Sequence, residues 1–492
     1  MRSSHECNFA ARLLDRLSGR SALTDAANGE TIPPSQICEH IGGFAAGFLS
    51  NGLGPGDRLL IACGINPSST LAYLGAMYAG IVPVLVDERM VATSGEYLYR
   101  KAKAKAAWTG DRVRWDWPEK NGLTHLRGTF EPERVALRPP APAAENDLAV
   151  LMPTSGSTGA PRLVMVTHGN LIANTEAIIR SQRLGGGEKA MLIMPISYCF
   201  GASVMHTHLY SGGDVVFDSR FMFPDKVLQA INRCKCTTFA GVPTVYNILL
   251  RRSSFPAMKF PSLRRFLQAG GSLGGEQIQR VREIFPGTDF LVMYGQTEAT
   301  ARISCLPPEH LERKLGSAGI SLDNVKLRIR SEGGGECRRG EAGEIEVSGP
   351  SICAGYLDDP EATRSKFVDG WLRTGDLGSV DEDGYLRIEG RTAEFIKIRG
   401  FRVSLAEVES KVAAVRGVAE CAAAGVPHAE AGEALVVFVV KDNAERDGNQ
   451  ALMEDVRSAL PTQWTCASVK IVSELPKTPN GKIARAQLQT MP

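Results

Sequence analysis

The chain has 492 residues, of which 43% are hydrophobic and 22% are charged, and its formal net charge is +2. These are the values of a globular protein, and charges of both signs are interspersed, so neither nucleic acid nor an anionic membrane is indicated as a partner. A chain of this length exceeds what one hydrophobic core normally organises, so we expect at least two domains.

The cysteines and the N-terminus bear on the cellular compartment. The eleven cysteines show no pairs at zinc-binding spacing, which favours reduced thiols in a cytoplasmic protein. His206 and His208 could share one face of a strand, but without a third ligand nearby we expect a structural role. Residues 1–20 lack the apolar core of a signal peptide, and the longest apolar stretch, 71–86, is too short to span a membrane.

Strand-like apolar runs alternate with helical patterns through most of the chain, as in largely parallel sheets covered by helices. The predicted strands lie at 58–63, 81–85, 149–152, 190–194, 214–217, 237–240 and 266–269, with a helix at 68–79. After about residue 315, shorter alternating segments at 326–330, 343–347 and 385–389 predict a β-rich subdomain of antiparallel strands.

The pattern changes again near residue 391. Beyond it the sequence predicts helices at 405–414 and 450–459 and strands at 420–426 and 434–441. We therefore predict an α/β fold with a large N-terminal domain, 1–390, which includes the β-rich subdomain, followed by a small α+β domain, 391–492.

A loop rich in Gly, Ser and Thr lies at 153–162 between two apolar runs and reads Pro-Thr-Ser-Gly-Ser-Thr-Gly-Ala-Pro-Arg. With so few large side chains, its backbone N–H groups and hydroxyls can converge on an anion, and its glycines permit positive φ. The pattern favours a phosphate site. It is not a Walker A loop, because its cation, Arg162, is followed by Leu163 rather than by Ser or Thr.

Four further segments carry polar groups suited to a nucleotide. The segment 294–298, Tyr-Gly-Gln-Thr-Glu, follows a predicted strand, and ligands of α/β sheets bind at strand ends. Asp376 stands in a predicted Thr-Gly-Asp turn, where a carboxylate suits two vicinal ribose hydroxyls. Arg391 opens a cation-rich segment at the predicted domain boundary, and Lys482 lies at the tip of a turn-rich tail.

Together and in this order, these motifs resemble the adenylate-forming superfamily of acyl-CoA and aryl-CoA synthetases, nonribosomal peptide adenylation domains and luciferases. The resemblance extends from about residue 53 to residue 485. It implies that a carboxylic acid is activated by ATP to acyl-AMP, with release of pyrophosphate, and is then transferred to a thiol. It also implies Mg²⁺, a mobile C-terminal lid domain, and either CoA, which we expect, or a carrier-protein phosphopantetheine.

The resemblance assigns roles to individual residues. The phosphates of ATP would bind Thr154, Ser155, Gly156, Ser157, Thr158, Gly159 and Arg162. The rest of the nucleotide would contact Gly271, Ser272, Tyr294, Gly295, Thr297, Asp376, Arg391 and Lys482. The acyl pocket would comprise Tyr198, Phe200, Gly201, Gly241, Ala269, Gly270 and Gln296. The catalytic residues would be Lys482, Thr297, Glu298 and Arg391, with Glu298 binding Mg²⁺.

This assignment is consistent with the chemistry. A carboxylate that attacks the α-phosphorus of ATP is already ionised, so the site needs cations and hydrogen-bond donors rather than a general base. In the implied arrangement Tyr294 lies against adenine, Asp376 holds the ribose, and Lys482 bridges the attacking carboxylate and the α-phosphate.

The sequence departs from the family pattern at several positions. Arg162 stands where Lys is usual, and Tyr198 stands where many acyl-CoA synthetases have His. Gly201 aligns with the Asp that pairs the substrate ammonium in peptide synthetases, so we expect an acyl or aryl acid without an α-amino group. Ala393 occupies the hinge position, which is commonly Asp or Lys.

Three other functions are compatible with parts of the sequence. Gly270 to Gly274 matches the Gly-x-Ser-x-Gly elbow of serine hydrolases, with Ser272 as nucleophile, but that reading leaves the phosphate loop, Asp376 and Lys482 unexplained. A silent nucleotide-binding relative is a second alternative. A stand-alone enzyme that loads a carrier protein is a third, and we expect such a carrier to act in trans because only ten residues follow Lys482.

Overall fold

The computed structural model describes residues 7–17, 21–111, 113–131, 139–154, 161–391, 395–398, 401–428, 432–442, 448–461, 466–477 and 483–488. The predicted succession of strands and helices is confirmed there. The strands are β1 (Leu23–Asp25), β2 (Thr31–Ile32), β3 (Arg58–Cys63), β4 (Val82–Asp87), β5 (Ala106–Thr109), β6 (Thr124–Arg127), β7 (Leu148–Thr154), β8 (Arg162–Thr167), β9 (Lys189–Leu192), β10 (Asp214–Phe217), β11 (Thr238–Gly241), β12 (Arg265–Gln268), β13 (Asp289–Tyr294), β14 (Ser304–Leu306), β15 (Ile320–Ser321), β16 (Lys326–Arg330), β17 (Gly343–Ser348), β18 (Phe367–Val368), β19 (Trp371–Val380), β20 (Leu386–Arg391), β21 (Phe395–Ile398), β22 (Phe401–Ser404), β23 (Val418–His428), β24 (Gly432–Lys441) and β25 (Cys466–Val472).

The α-helices lie between these strands. They are α1 (Phe9–Arg16), α2 (Pro34–Ser50), α3 (Pro67–Tyr78), α4 (Val91–Ala102), α5 (Trp117–Lys120), α6 (His168–Gln182), α7 (Cys199–Tyr210), α8 (Pro224–Arg233), α9 (Pro243–Arg252), α10 (Gly275–Ile284), α11 (Pro360–Lys366), α12 (Leu405–Ala413), α13 (Asn449–Ser458) and α14 (Arg485–Leu488). No helix in the described ranges is long and apolar enough to cross a membrane.

Two large sheets carry the N-terminal part of the chain. One has nine strands in the order β15-β14-β13-β12-β11-β9-β10-β1-β2, parallel from β13 to β1 and antiparallel at both edges. The other has six strands in the order β6-β5-β3-β4-β7-β8, parallel except for β8. Buried strand residues such as Leu60, Val84 and Leu151 share one apolar cluster with Leu98 and Ala102 of α4. The expected helix-covered parallel sheets are thus confirmed.

Two five-stranded sheets follow. The first has the order β16-β17-β19-β18, with β20 beside β19, and is the predicted β-rich subdomain. The second has the order β22-β21-β24-β23, with β25 beside β24. Alternate residues of β24 enter different apolar clusters, Val437 with Val408 of α12 and Phe438 with Leu488 of α14, as the two-residue period of a strand requires. This strand is therefore buried on both faces.

By its internal contacts the chain divides into two compact units, residues 1–327 with 347–372 and residues 328–346 with 373–492. The boundary predicted after residue 390 stays a prediction.

His206 and His208 lie on helix α7, not on a strand, so the predicted element was wrong there. Both side chains are buried, and burial lowers the pKa to about 3 for His206 and about 4 for His208. His206 Nε2 lies 3.1 Å from the Tyr73 hydroxyl, and His208 Nδ1 donates to Val204 O at 2.8 Å. All twelve residues of the helix are buried, so it has no polar face, which explains why its period was not visible in the sequence.

Candidate active site

Part of the predicted site falls outside the described residues. Ser155, Gly156, Ser157, Thr158 and Gly159 of the loop, the hinge residue Ala393 and the lysine Lys482 are in this group. For Arg391 only the backbone is described. The roles of these residues stay predictions.

The two strands predicted on either side of the glycine-rich segment are confirmed as β7 and β8, which pair antiparallel with Thr154 opposite Arg162. Arg162 is therefore fixed at the base of the loop. Its Nε donates to Asp359 Oδ2 at 3.1 Å, and its guanidinium carbon lies 5.5 Å from the ring centre of Tyr356. Its side chain keeps 32% of its surface exposed, so the cation is held in place yet open to solvent.

Glu298 lies in a short 3₁₀ turn, 297–299, directly after β13. Its carboxylate is buried, and one oxygen accepts a hydrogen bond of 2.7 Å from the Tyr356 hydroxyl. Burial, and then the neighbouring Glu298 charge, raise the pKa of Tyr356, so this hydroxyl remains a donor at neutral pH. The backbone N–H of Cys353 donates to Glu298 O at 2.9 Å and ties the same turn to the 347–357 segment.

The setting of Glu298 fits Mg²⁺. This ion is usually held in proteins by one or two carboxylates together with substrate phosphates and water, rather than by a cage of side chains. Within the described ranges there is no cluster of three or more His, Cys, Asp or Glu that could form such a cage. A single buried carboxylate that accepts a hydrogen bond from a tyrosine is compatible with Mg²⁺ carried by a nucleotide.

A strained turn follows Glu298. Thr300 has φ 64° and ψ −60°, and the Ala301 N–H donates to Ala299 O at 2.7 Å, which defines a γ-turn. A β-branched residue rarely adopts positive φ, and here the Thr300 hydroxyl holds the turn by donating to Ser351 O at 2.7 Å. The chain then reverses into β14, where Ser304 pairs with Tyr294.

The ends of adjacent parallel strands bring together several residues of the predicted acyl pocket. Gly241 ends β11, Ala269 and Gly270 follow β12, and Tyr294 ends β13. These are the carboxyl ends of neighbouring strands, where ligands of open α/β sheets bind. Gly270 has φ 84°, and a Cβ there would lie 2.4 Å from the Tyr198 hydroxyl, so Tyr198 borders the same place.

Gly201 is closely packed. A Cβ built at this position would lie 2.4 Å from Pro195 O and 3.1 Å from Met194 O, both of them backbone atoms. No side chain, including that of aspartate, fits there without a backbone shift. The departure from the peptide-synthetase pattern at Gly201 therefore has a steric cause in this chain.

Arg302 is a charged residue near this site that the sequence reasoning missed. It lies two residues beyond the strained Thr300, and its guanidinium carbon lies 5.0 Å from the ring centre of Phe200. A lone cation in the run Ala-Thr-Ala-Arg-Ile-Ser-Cys, directly after the 294–298 motif, was the available signal. Tyr356 was missed as well, because nothing local connects it to Glu298, 58 residues earlier.

Asp376 lies within a strand, so the prediction that the Thr-Gly-Asp segment forms a tight turn was wrong. Residues 374–376 lie inside β19, where Gly375 has φ 75° and the register shifts after Leu377. The Asp376 N–H donates to Thr374 Oγ1 at 3.1 Å. In the strand register Asp376 is directly opposite Arg391 of β20. Two residues predicted to contact the ribose are thus neighbours.

Comparison with known proteins decides the family. The family model for the AMP-binding enzyme matches residues 14–357, and the model for its C-terminal domain matches residues 407–482. This chain is an AMP-binding enzyme. The predicted membership of the adenylate-forming superfamily is thereby confirmed.

Relatives of this AMP-binding enzyme include the feruloyl-CoA synthase of Amycolatopsis sp, 33% identical over 94% of each chain. The sulfoacetate–CoA ligase of Cupriavidus necator is 31% identical over 95% of this chain and 94% of its own length. Among solved structures, ATP-bound MatB from Rhodopseudomonas palustris has a TM-score of 0.89 and 27% identity, with 98% of each chain covered. The AMP-binding enzyme described here is therefore an adenylate-forming ligase of the acyl-CoA synthetase type, which uses ATP to activate a carboxylic acid.

Proposed function

We propose that this enzyme forms the CoA thioester of an acyl or aryl acid that lacks an α-amino group. The observation that carries the proposal is the convergence of Glu298, Tyr356 and Arg162 beside the base of the glycine-rich loop. The acids in the names of two relatives, ferulate and sulfoacetate, also lack an amino group.

In the first half-reaction the ionised acid attacks the α-phosphorus of ATP, and pyrophosphate leaves. We propose that Glu298 holds Mg²⁺ against the phosphates and that the 154–162 loop with Arg162 binds the β- and γ-phosphates. Thr297 and Lys482 would stabilise the charge that develops at the α-phosphate, and Asp376 and Arg391 would hold the ribose. Fixed charges of this kind contribute most where the transition state is more polar than the ground state.

The exclusion of amino acids follows from Gly201. A substrate ammonium in the acyl pocket would need a carboxylate partner, since an unpaired buried charge is strongly destabilising. The backbone oxygens packed against Gly201 leave no room for such a side chain.

The second half-reaction requires Lys482 to give way to the thiol. We propose that the domain 391–492 turns between the two half-reactions, with Ala393 as the pivot, because a few boundary residues can absorb a large change of φ and ψ. We further propose CoA as the acceptor and the cytoplasm as the location.

Carboxylate-dependent exchange of labelled pyrophosphate into ATP tests the first half-reaction. We expect Lys482→Ala to reduce exchange on the order of 10²–10³-fold, as the loss of one charge-stabilising donor does, while thioester formation from supplied acyl-AMP and CoA persists. Lys477→Ala is the matched control, because Lys477 lies in the same tail and is paired with Glu420 at 2.7 Å. An equal loss in both half-reactions would contradict the role given to Lys482.

A further inference from the structure

Arg302 is a buried cation without a carboxylate. Only 2% of its surface is exposed. Its Nε has no hydrogen-bond partner, and no Asp or Glu in the described part of the chain forms an ion pair with it. Burial lowers the pKa of Arg302, yet a guanidinium stays protonated in proteins, so its charge must be compensated in another way. An uncompensated charge in the interior is costly.

The surroundings of Arg302 add positive potential. Its guanidinium carbon lies 5.0 Å from the ring of Phe200, the second residue of α7. The N-terminus of α7, a helix of 12 residues, carries partial positive charge. Nearby Cys305 does not offset this, because burial raises its pKa to about 12 and keeps the thiol neutral. A buried guanidinium and a helix N-terminus together form an anion site.

The anion site adjoins the residues proposed for catalysis. Arg302 lies on the same short loop as Thr297 and Glu298, and a Cβ on Gly295 would lie 2.9 Å from Arg302 Cα. Tyr198, at the start of α7, borders Gly270 on the other side. The unpaired charge therefore lies next to the predicted acyl pocket.

We propose that Arg302 is a specificity-determining residue that pairs with a second anionic group, a carboxylate or a sulfonate, on the acid substrate. This inference rests on the proposed function and narrows its substrate class to acids with two negative charges. The planar fork of a guanidinium matches the paired oxygens of both groups. The guanidinium carbon of Arg302 lies 5.0 Å from the ring centre of Phe200, which belongs to the predicted acyl pocket.

The test uses acids that differ in one group. We would measure kcat/KM for pyrophosphate exchange with terephthalate, 4-sulfobenzoate and 4-methylbenzoate, and with glutarate and pentanoate, using the full-length enzyme. In at least one of the two sets, aromatic or aliphatic, we expect kcat/KM to be about 100-fold higher for the acid with a second charge than for its neutral partner, the acid without that charge. A factor of about 100 corresponds to about 2.7 kcal/mol, which is typical of a hydrogen-bonded buried charge pair. The two benzoates distinguish a carboxylate from a sulfonate.

Two variants of Arg302 complete the test. Arg302→Met should lower kcat/KM for the doubly charged acid about 100-fold while leaving its neutral partner unchanged or improved, so the preference disappears. Arg302→Lys keeps the charge and should keep part of the preference. Should Arg302→Met fail to fold, as judged by circular dichroism, the wild-type preference and the lysine variant still decide the matter.

Several outcomes would overturn the inference. Equal use of charged and neutral partners by the wild-type enzyme would show that Arg302 does not select a second anion. An equal loss of kcat/KM for both acids in Arg302→Met would mean that Arg302 binds the reacting carboxylate or is needed for folding. In either case exchange with some acid would leave the proposed function standing, whereas no exchange with any acid would remove the proposed function itself.

Discussion

Two arginines of the N-terminal unit have similar aromatic contacts but differ in whether a carboxylate balances their charge. Arg162 and Arg302 each lie against an aromatic ring, at 5.5 Å from Tyr356 and 5.0 Å from Phe200. Arg162 is paired with Asp359 and partly exposed, whereas Arg302 is buried and has no carboxylate partner among the described residues. The charge of Arg162 is balanced before any ligand arrives, and that of Arg302 is not.

The difference separates two tasks. A partly exposed ion pair contributes only about 0–1 kcal/mol, so Arg162 can exchange Asp359 for a phosphate at little cost. This suits a group that every turnover must bind and release. A buried, unpaired cation gains far more from the correct anion and rejects a neutral group, which suits selection among acids. Variants around Arg162 should therefore affect all acids alike, unlike variants of Arg302.

The largest effect in the Arg162 region is expected for Glu298→Gln. Loss of the carboxylate that we assign to Mg²⁺ should lower the exchange rate on the order of 10²–10³-fold, by the same factor for every acid. The amide oxygen can still accept from Tyr356, so the fold is retained. Steady-state exchange over a range of Mg²⁺ concentrations measures the effect, with Glu283→Gln, an exposed residue paired with Arg280, as control. A loss that depends on the acid would contradict the assignment.

A smaller effect is expected for Tyr356→Phe. The change removes the donor to the buried Glu298 oxygen, and a hydrogen bond to a charged group contributes about 1.5–3 kcal/mol. We expect a rate about tenfold or more below that of the parent and a higher Mg²⁺ requirement, because the carboxylate loses its orientation. Tyr97→Phe, at an exposed tyrosine, is the matched control. An unchanged Mg²⁺ dependence would mean that Tyr356 only packs.

The smallest effect is expected for Asp359→Asn. Neutralising this residue leaves Arg162 without its ion pair, so we expect the KM for ATP to fall severalfold at low salt and the difference to vanish at high salt. Asparagine still caps α11, where Asp359 Oδ1 now accepts from the Ala362 N–H at 3.0 Å, so stability should change little. A rise in the KM for ATP would show that Asp359 orients Arg162 for the phosphate rather than competing with it.

The sequence predicted the strands whose pattern is local. Strand runs such as 58–63 and 214–217 coincide with β3 and β10, because a buried parallel strand is an unbroken apolar run. The Thr-Gly-Asp segment was assigned to a turn on the strength of its glycine, yet Gly375 adopts positive φ within a bulged strand. Local composition does not distinguish these two uses of glycine.

The predicted site residues came from motifs, and the missed ones came from tertiary contacts. Tyr356 matters because it reaches Glu298, and Arg302 matters because nothing in the described chain neutralises it. Neither property can be recognised from the residues that are close in sequence. The roles of Lys482 and Ala393 stay predictions.

The pairing of Tyr294 with Ser304 closes a loop of nine residues that carries both Glu298 and Arg302. The proposed magnesium ligand and the proposed selector of the acid thus lie within one stretch of nine residues, on either side of the turn at Thr300. A gene duplicate could acquire a new acid through a change at codon 302 alone, because the proposed metal ligand is a different residue. For directed evolution, saturation of this single position is therefore the most economical library with which to redirect the enzyme.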